Sequence, residues 1–234
     1  MKKIEKIILA YNKILELIKE KKLIYIRKCV TKGLLNEINF KDSGLDWVHK
    51  IPNNWKTMKL KYVTNIIMGQ SPDSSSYNFS EIGSPFLQGN AEFGELFPKP
   101  EIWCDSANKY SKKDDILLSV RAPVGAVNIS DNIYGIGRGL CAIQPINIEK
   151  NYLFYLTKCI KHKLESISKG STFQAIKLDD IKNIKVPIPP KREQQDIGNH
   201  LIEKTDMFTI IEKMISNQIT LFNEYRKNII MNVV

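Results

Sequence analysis

The sequence predicts an α+β fold: a mixed α/β domain with many short strands, flanked by two long α-helices. Heptad patterns at both ends of the chain and short apolar runs in its middle predict this arrangement. In a third observation, a short apolar strand runs into the prolines at 187–190, and a helical pattern begins directly after them. Proline cannot donate to a sheet but suits the first turn of a helix, so this stretch marks a boundary between domain and helix.

The first element is a coiled-coil-like helix over residues 3–31, which contain neither Gly nor Pro. Apolar residues recur every seven positions, as expected for one position of a helix–helix seam: Ile4, Tyr11, Ile18 and Tyr25. Ile7 and Ile14 are predicted to fill the second seam position, which Lys21 interrupts. Gly33 offers the left-handed cap that ends the helix.

The last element is a helix that follows Pro190, with Glu193 near the positive end of its dipole. Its seam residues are again seven apart: Leu201, Phe208, Ile215, Phe222 and Ile229. Four of these five lie 204 residues after the seam positions of the first helix. A shared phase is expected of any two coiled-coil helices, so the match suggests a repeat without establishing one. The two stripes predict that these helices pack against each other.

Between the helices, apolar runs bounded by turn residues predict four strands: Pro85–Leu87, Asp115–Ser119, Val124–Ile129 and Leu140–Pro145. Helical spacing predicts a helix over 151–168 and one helical turn near 178–183. The run 58–68 fits a strand or a short helix, and Ser, Gly, Pro and Asp mark 69–85 as a surface loop. These elements divide the chain into a helix (1–34), a domain (35–190) and a second helix (191–234).

The net charge of +10 is unevenly distributed, with ten basic against three acidic residues in 1–33 and thirteen against eight in 104–190. A basic surface favours nucleic acid or an anionic membrane, although a solvated helix face also explains part of it. No two of the four cysteines are closely spaced, so neither a zinc site nor a redox pair is predicted. We interpret them as small buried residues of a protein in a reduced compartment. No secretory signal and no membrane-length apolar run is recognisable, so we expect a cytoplasmic protein without a membrane partner.

The sequence offers no catalytic constellation. The three histidines are scattered, and Asp114-Asp115 lacks the further acidic and lysine residues of a nuclease site. Pro189-Pro190 lacks the flanking residues of an adenine methyltransferase motif. The segment Gly135-Ile-Gly-Arg-Gly139 is interpreted as a turn before the strand at 140, with a phosphate cradle as the alternative. These absences favour a binding protein over an enzyme.

Three stretches together resemble the DNA-specificity (S) subunits of type I restriction-modification enzymes. The first is Asp42-Ser-Gly-Leu-Asp-Trp47 with Ile51-Pro-Asn-Asn-Trp55. The second is Asp115-Ile-Leu-Leu-Ser-Val-Arg121 with Val124-Gly125. The third runs from Gly170-Ser-Thr-Phe-Gln-Ala-Ile176 through the prolines to Glu193-Gln-Gln195. In this order, between two heptad helices, they cover essentially the whole chain.

The resemblance implies a non-catalytic chain with one target-recognition domain and an antiparallel coiled-coil spacer. The spacer residues would be Ile4, Tyr11, Ile18, Leu201, Phe208, Ile215 and Phe222. It further implies double-stranded DNA, modification (M) subunits and a restriction (R) subunit as partners. S-adenosylmethionine, ATP and Mg²⁺ would be bound by those partners and no cofactor by this chain.

Family members carry two recognition domains, whereas this sequence has one, preceded by a helix. The chain therefore resembles the second half of such a subunit: a truncated or split gene product, an exchangeable cassette or a functional half-subunit. A half-subunit that pairs with itself or with another half would read two half-sites. An alternative function is an assembly or regulatory fragment that binds M subunits through its helices without reading DNA.

Arg121 and Arg138 are the only arginines of residues 34–190, and each adjoins a glycine-containing turn, from which it could contact guanine. The alternative is a structural ion pair with Asp114, Asp115 or Asp131. Other predicted DNA-binding residues are polar loop residues, for which a plain turn or a solvated loop is the alternative: Gln88, Asn90, Lys169, Ser171, Thr172, Gln174 and Lys177. The lysines of 158–163 could do no more than solvate a helix.

Overall fold

The computed structural model describes residues 2–35, 39–169 and 175–231. The chain divides into two compact units, one formed by Met1–Cys29 with Asn199–Val234 and the other by Val30–Gly198. The division falls within the two terminal helices, because α1 spans Lys2–Lys32 and α5 spans Lys191–Met231. Each unit is described by itself below. The three domains inferred from the sequence stay a prediction.

The first unit is an antiparallel pair of helices, here called the helix pair (residues 2–29 of α1 and 199–231 of α5). The ring centroids of Tyr11 and Phe222 lie 5.7 Å apart, and those of Tyr25 and Phe208 lie 6.2 Å apart. Because later residues of α1 meet earlier residues of α5, the helices run in opposite directions. The predicted antiparallel coiled coil and its first seam position are therefore confirmed.

The prediction for the second seam position of α1 is wrong at Ile14, whereas Ile7 is half-buried as expected. Ile14 is 44% exposed, whereas its neighbour Leu15 is half-buried. The half-buried position Lys22, one residue after Lys21, pairs with Glu212 at 3.5 Å and donates to Thr209 at 2.9 Å. Apolar residues occupy both alternatives, at 7 and 8 and at 14 and 15, so periodicity could not choose between them.

The second unit contains thirteen strands among the residues that the structure describes. A four-stranded antiparallel sheet has the order β10-β9-β12-β4: β4 (Thr64–Met68), β9 (Ile116–Ser119), β10 (Val127–Ile129) and β12 (Leu140–Pro145). A five-stranded sheet has the order β5-β7-β6-β11-β8: β5 (Tyr77–Asn78), β6 (Ser84–Leu87), β7 (Ile102–Cys104), β8 (Tyr110–Ser111) and β11 (Tyr134–Ile136). The four predicted strands are all present, within three residues of their predicted bounds.

Two short antiparallel pairs complete the strands: β1 (Phe40–Asp42) with β2 (Lys50–Pro52), and β3 (Lys56–Lys59) with β13 (Lys185–Ile188). The run 58–68, predicted as one element, is divided by a 3-10 turn at Leu60–Tyr62. The loop 69–85 contains a second 3-10 turn at Ser74–Ser76 together with β5.

The core lies between the two large sheets. One cluster takes Leu87 and Ile136 from the five-stranded sheet and Leu117, Leu140 and Ala142 from the four-stranded sheet. All four residues of β9 are buried, which is why this strand reads as an almost continuous apolar run. Helix α2 contacts β9 and β10.

The helix predicted over 151–168 is interrupted at Ile160 and forms α2 (Lys150–Cys159) and α3 (Lys161–Lys169). The predicted turn at 178–183 is α4 (Leu178–Lys182), in which Asp180 accepts the N–H of Lys177 at 3.0 Å. Local interactions thus place the start of α4 where the sequence indicated it.

The start and the end of the second unit are joined by polar contacts, of which those of Tyr152 are buried. The indole N–H of Trp55 donates to Glu193 at 3.0 Å, and that of Trp47 donates to the carbonyl of Lys185 at 3.2 Å. The hydroxyl of the fully buried Tyr152 lies 3.1 Å from the carbonyl of Val30 and 2.9 Å from that of Pro187. The tryptophans of 34–56 therefore fix the stretch that leads into α5.

Candidate nucleic-acid interface

Five loop segments converge at one end of the four-stranded sheet. Strands β4 and β9 end there and β12 begins there, since Met68 pairs with Cys141 and Ser119 with Leu140. The parallel strands β6 and β11 end side by side, with Ile136 opposite Leu87. The segments that leave these strands, together with the one beside Arg121, are here called the loop cluster: residues 69–71, 88–90, 120–121, 137–139 and 175–177.

The backbone N–H groups of the turn that carries Arg138 all donate to other groups of the protein. Gly137 donates to Leu87 O at 2.8 Å, Gly139 to Gln88 O at 3.2 Å and Leu140 to Gly137 O at 3.0 Å. The Arg138 N–H donates to the hydroxyl of Ser71 at 3.1 Å. A phosphate cradle needs free N–H groups, so the alternative interpretation of Gly135–Gly139 is wrong. Gly135 itself lies in β11.

Glycine is required at this turn by close backbone approach. A Cβ on Gly69 would lie 2.1 Å from the carbonyl oxygen of Gly137, and one on Gly139 would lie 2.6 Å from that of Gln88. Three chain segments can therefore meet at van der Waals distance only because side chains are absent there. The consequence is that Arg138 is the one long side chain on the turn.

Arg121 lies on a segment next to the Arg138 turn. Val120 N–H donates to Gly139 O at 2.9 Å, and Arg121 forms an isolated β-bridge with Ala175. Both arginines are exposed. Two guanidinium groups are thus carried on adjacent backbone segments at one end of the sheet.

The structural ion pairs considered for these arginines are absent from the described residues. Asp114 pairs with Lys150 at 2.6 Å, and Asp131 accepts the hydroxyl of Tyr134 at 2.6 Å. Asp115 accepts the N–H of Lys112 at 2.7 Å, and burial raises the pKa of its carboxyl. All three carboxylates thus have other partners, which leaves the arginines available to a ligand.

Gln88 and Asn90 follow β6 in the same cluster. The carbonyl of Gln88 accepts Gly139 N–H, and that of Asn90 accepts Phe93 N–H at 3.2 Å. Gln88 is exposed and Asn90 is half-buried. Backbone groups therefore make the turn, and the Gln88 amide faces solvent, where it can act as donor and acceptor at once.

The other predicted loop residues are only partly placed. Lys177 is exposed and lies two residues after Ala175, next to Arg121. Lys169 is the exposed last residue of α3, and among the described residues no contact brings it to the cluster. Ser171, Thr172 and Gln174 lie outside the described residues.

The lysines of 158–163 have structural partners. Lys158 lies 4.2 Å from the ring centroid of Phe154, Lys161 pairs with Glu165 at 3.8 Å, and Lys163 pairs with Asp46. These contacts lie on the helix surface and agree with the interpretation that the lysines of 158–163 solvate a helix rather than bind DNA.

Sequence reasoning missed Ser71 and its neighbour Gln70, which belong to the loop cluster. Gln70 N–H donates to Ile136 O at 2.9 Å and its side chain is exposed. The signal in the sequence was Gly69-Gln-Ser-Pro72 directly after a strand, which indicated only a surface loop. Nothing local connects it with Arg138, 67 residues later.

The predicted spacer residues lie in the helix pair. Leu201 is fully buried, and the others are half-buried along the seam: Ile4, Tyr11, Ile18, Phe208, Ile215 and Phe222. Within the described ranges no group of His, Cys, Asp and Glu could hold a metal ion. The same residues include no helix long and apolar enough to cross a membrane.

Comparison with known proteins identifies the family. Residues 52–221 match the model of the type I restriction modification DNA specificity domain, so the chain belongs to this family. It is 41% identical over 207 residues to a protein of Methanocaldococcus jannaschii named as the MjaX type I restriction enzyme specificity subunit, covering 86% of this chain and 48% of that protein. It is 29% identical over 246 residues to the MjaVIII specificity subunit of the same organism, covering 95% and 54%.

Two solved structures are similar over nearly the whole chain. One, from work on complex assembly and conformational transition of the type I R-M system, has a TM-score of 0.83 at 30% identity and covers 98% of this chain and 54% of that one. The HsdS subunit from Thermoanaerobacter tengcongensis has a TM-score of 0.66 at 31% identity, covering 94% and 55%. The chain thus spans about half the length of the relatives it matches.

Proposed function

We propose that this member of the type I specificity family reads one half of a bipartite DNA site through its loop cluster. The observation that carries the proposal is the convergence of Arg121, Arg138 and Gln88, three side chains suited to base edges, at one end of one sheet. The family match to a DNA specificity domain supports the same conclusion.

The chemistry of the cluster suits the major groove. An arginine can donate two hydrogen bonds to the O6 and N7 of guanine, and a glutamine or asparagine can pair with the N6 and N7 of adenine. Lys177 supplies a further positive charge for phosphate, which positions a protein without specifying sequence. Arg121 and Arg138 lie on backbone segments hydrogen-bonded to neighbouring segments, so the backbone that carries each arginine is held in place before DNA binds.

The helix pair is the proposed attachment for M subunits, and the R subunit joins through that complex. Beyond the seam, both helices carry exposed apolar residues seven apart: Leu17 (53%) and Ile24 (61%) on α1, Met214 (63%) and Leu221 (55%) on α5. Equivalent heptad positions lie on the same side of an antiparallel pair, so these residues form one apolar face. Such a face is typical of a protein–protein interface.

In this proposal, partner subunits carry the cofactors: S-adenosylmethionine, ATP and Mg²⁺. The chain itself supplies specificity without catalysis, in the cytoplasm. Pairing with a second half, identical or not, would complete a two-part site, and an identical half would make that site symmetric.

The apolar face also favours a second candidate, an assembly or regulatory fragment that occupies M subunits without reading DNA. The two candidates differ in which region is needed. A reader requires the loop cluster, whereas a regulator requires only the helix pair.

The test is reconstitution of the 234-residue chain with M subunits, followed by sequencing of the methylated adenines in a mixed DNA substrate. Arg121→Ala and Arg138→Ala should each cost about 1–3 kcal/mol of discrimination between bases, seen as methylation at degenerate sites. Arg192→Ala removes an exposed arginine outside the cluster and serves as the control. If both cluster variants methylate the same sites as wild type, reading through these arginines is contradicted. A complex that forms but methylates no defined site favours the regulator.

A further inference from the structure

The loop after β4 lies against the Arg138 turn along its length. Gly69 N–H donates to Leu140 O at 2.9 Å, and Gln70 N–H donates to Ile136 O at 2.9 Å. Ser71 follows, half-buried, with its hydroxyl 3.1 Å from the N–H of Arg138. The loop therefore contacts the turn at Arg138, which is the only residue of 137–139 that has a side chain.

The contact with Ser71 differs in kind from the others that hold the turn. Gly137, Gly139 and Leu140 donate to backbone carbonyls, which every amino acid provides. Arg138 donates to a side-chain hydroxyl, which a single substitution removes. Among these four hydrogen bonds, the one at the functional residue is the one that depends on sequence.

Arg138 also lies between two glycines. Glycine restricts φ and ψ less than any other residue, so Gly137 and Gly139 do not by themselves orient the peptide of Arg138. The carbonyl of that peptide accepts the N–H of Leu140 at 3.0 Å, and its N–H is held from outside the turn by Ser71. Without the hydroxyl, the arginine keeps its charge but loses one of the two hydrogen bonds that orient its peptide.

We propose that Ser71 is a positioning residue that sets the base discrimination of Arg138; the inference rests on the proposed function. Two parallel hydrogen bonds to guanine require the guanidinium plane to be placed within about half an ångström. A contact with phosphate tolerates a larger displacement, because attraction between charges is not directional. Loss of Ser71 therefore weakens the choice of base more than the affinity for DNA.

The experiment uses the full chain with M subunits and a DNA library randomised over the wild-type target. Arg138→Ala first identifies the base pair at which preference is lost. Ser71→Ala should reduce preference at that same base pair about fivefold, the worth of one hydrogen bond of ordinary strength. Preference at other positions and binding to unrelated DNA should stay within twofold of wild type.

Two variants separate positioning from general damage. Ser71→Thr keeps the hydroxyl and should restore the preference, and Ser71→Ala in the Arg138→Ala background should cause no further loss. Ser75→Ala, an exposed serine of the same loop, is the matched control. Thermal unfolding checks that each variant is folded.

The inference is overturned if Arg138→Ala changes no base preference or if Ser71→Ala leaves that preference intact. An equal loss at every position, or an additional loss in the double variant, also overturns it, because either result indicates a structural role. A wild-type complex that methylates without any sequence preference contradicts the proposed function itself and is thereby distinguished.

Discussion

In the helix pair, side chains meet every seven residues, from Tyr11 against Phe222 to Tyr25 against Phe208. In the loop cluster, most contacts join backbone to backbone, and glycine provides the space for them. The first region is therefore held by side chains that repeat in sequence. The second is held by groups that all residues share, and its few long side chains remain free for a ligand. The two regions should respond differently to substitution.

The largest expected effect is at Gly69. Gly69→Ala would place a methyl group 2.1 Å from the carbonyl oxygen of Gly137, with backbone on the opposing side, and should lower the free energy of unfolding by about 3 kcal/mol. Gly89→Ala is the matched control from the same cluster, since nothing lies within 4 Å of its added Cβ. Urea titration measures both. Equal stability of the two variants would show that backbone approach does not hold the cluster.

The next effect concerns the polar layer of the helix pair. One oxygen of Glu212 pairs with Lys22, while the other is buried without a partner among the described residues, so burial of this layer is costly. Glu212→Ala should lower the free energy of unfolding by about 2 kcal/mol, because it leaves the Lys22 ammonium largely enclosed.

Replacing both residues should reverse that loss. Lys22→Leu with Glu212→Leu should be at least as stable as wild type, since two apolar side chains complete the seam. Circular dichroism melting of the single and double variants distinguishes these outcomes. A double variant less stable than wild type would mean that the ion pair is a net source of stability.

The smallest effect is a pH dependence at the opposite end of β9 from the loop cluster. Burial raises the pKa of the Asp115 carboxyl, so the folded chain holds this proton at higher pH than the unfolded chain does. Its contribution to stability is greatest below the unfolded pKa of about 4 and falls as pH rises through the folded pKa.

Asp115→Asn removes this titration and should flatten the decline of stability just above pH 4. Asp105→Asn, at an exposed aspartate ten residues earlier, controls for the loss of one carboxylate. Unfolding free energies measured at several pH values give the difference. A difference curve without slope in this window would contradict the prediction.

The sequence predicted the elements better than their assembly. Heptads identified both helices, because a helix–helix seam depends on local spacing. The short strand followed by prolines identified the boundary between domain and helix, because proline cannot donate to a sheet. The break at Ile160 and the seam at Leu15 and Lys22 were not predictable, since neighbouring residues satisfied either alternative. The predicted contacts of Arg121, Arg138 and Gln88 with DNA stay predictions, although the structure brings their segments together.

By itself the sequence determined the fold class, the two pairing helices and, through three motifs in order, the family. Only the tertiary structure decided which loops meet, that Arg121 and Arg138 escape the nearby carboxylates, and that Ser71 anchors Arg138. The physical reason is that these contacts join residues far apart in the chain, and most of them do so through backbone groups. Almost every residue type offers the same backbone N–H and C=O groups. Their hydrogen bonds therefore leave no pattern in the sequence from which the meeting of two loops could be predicted.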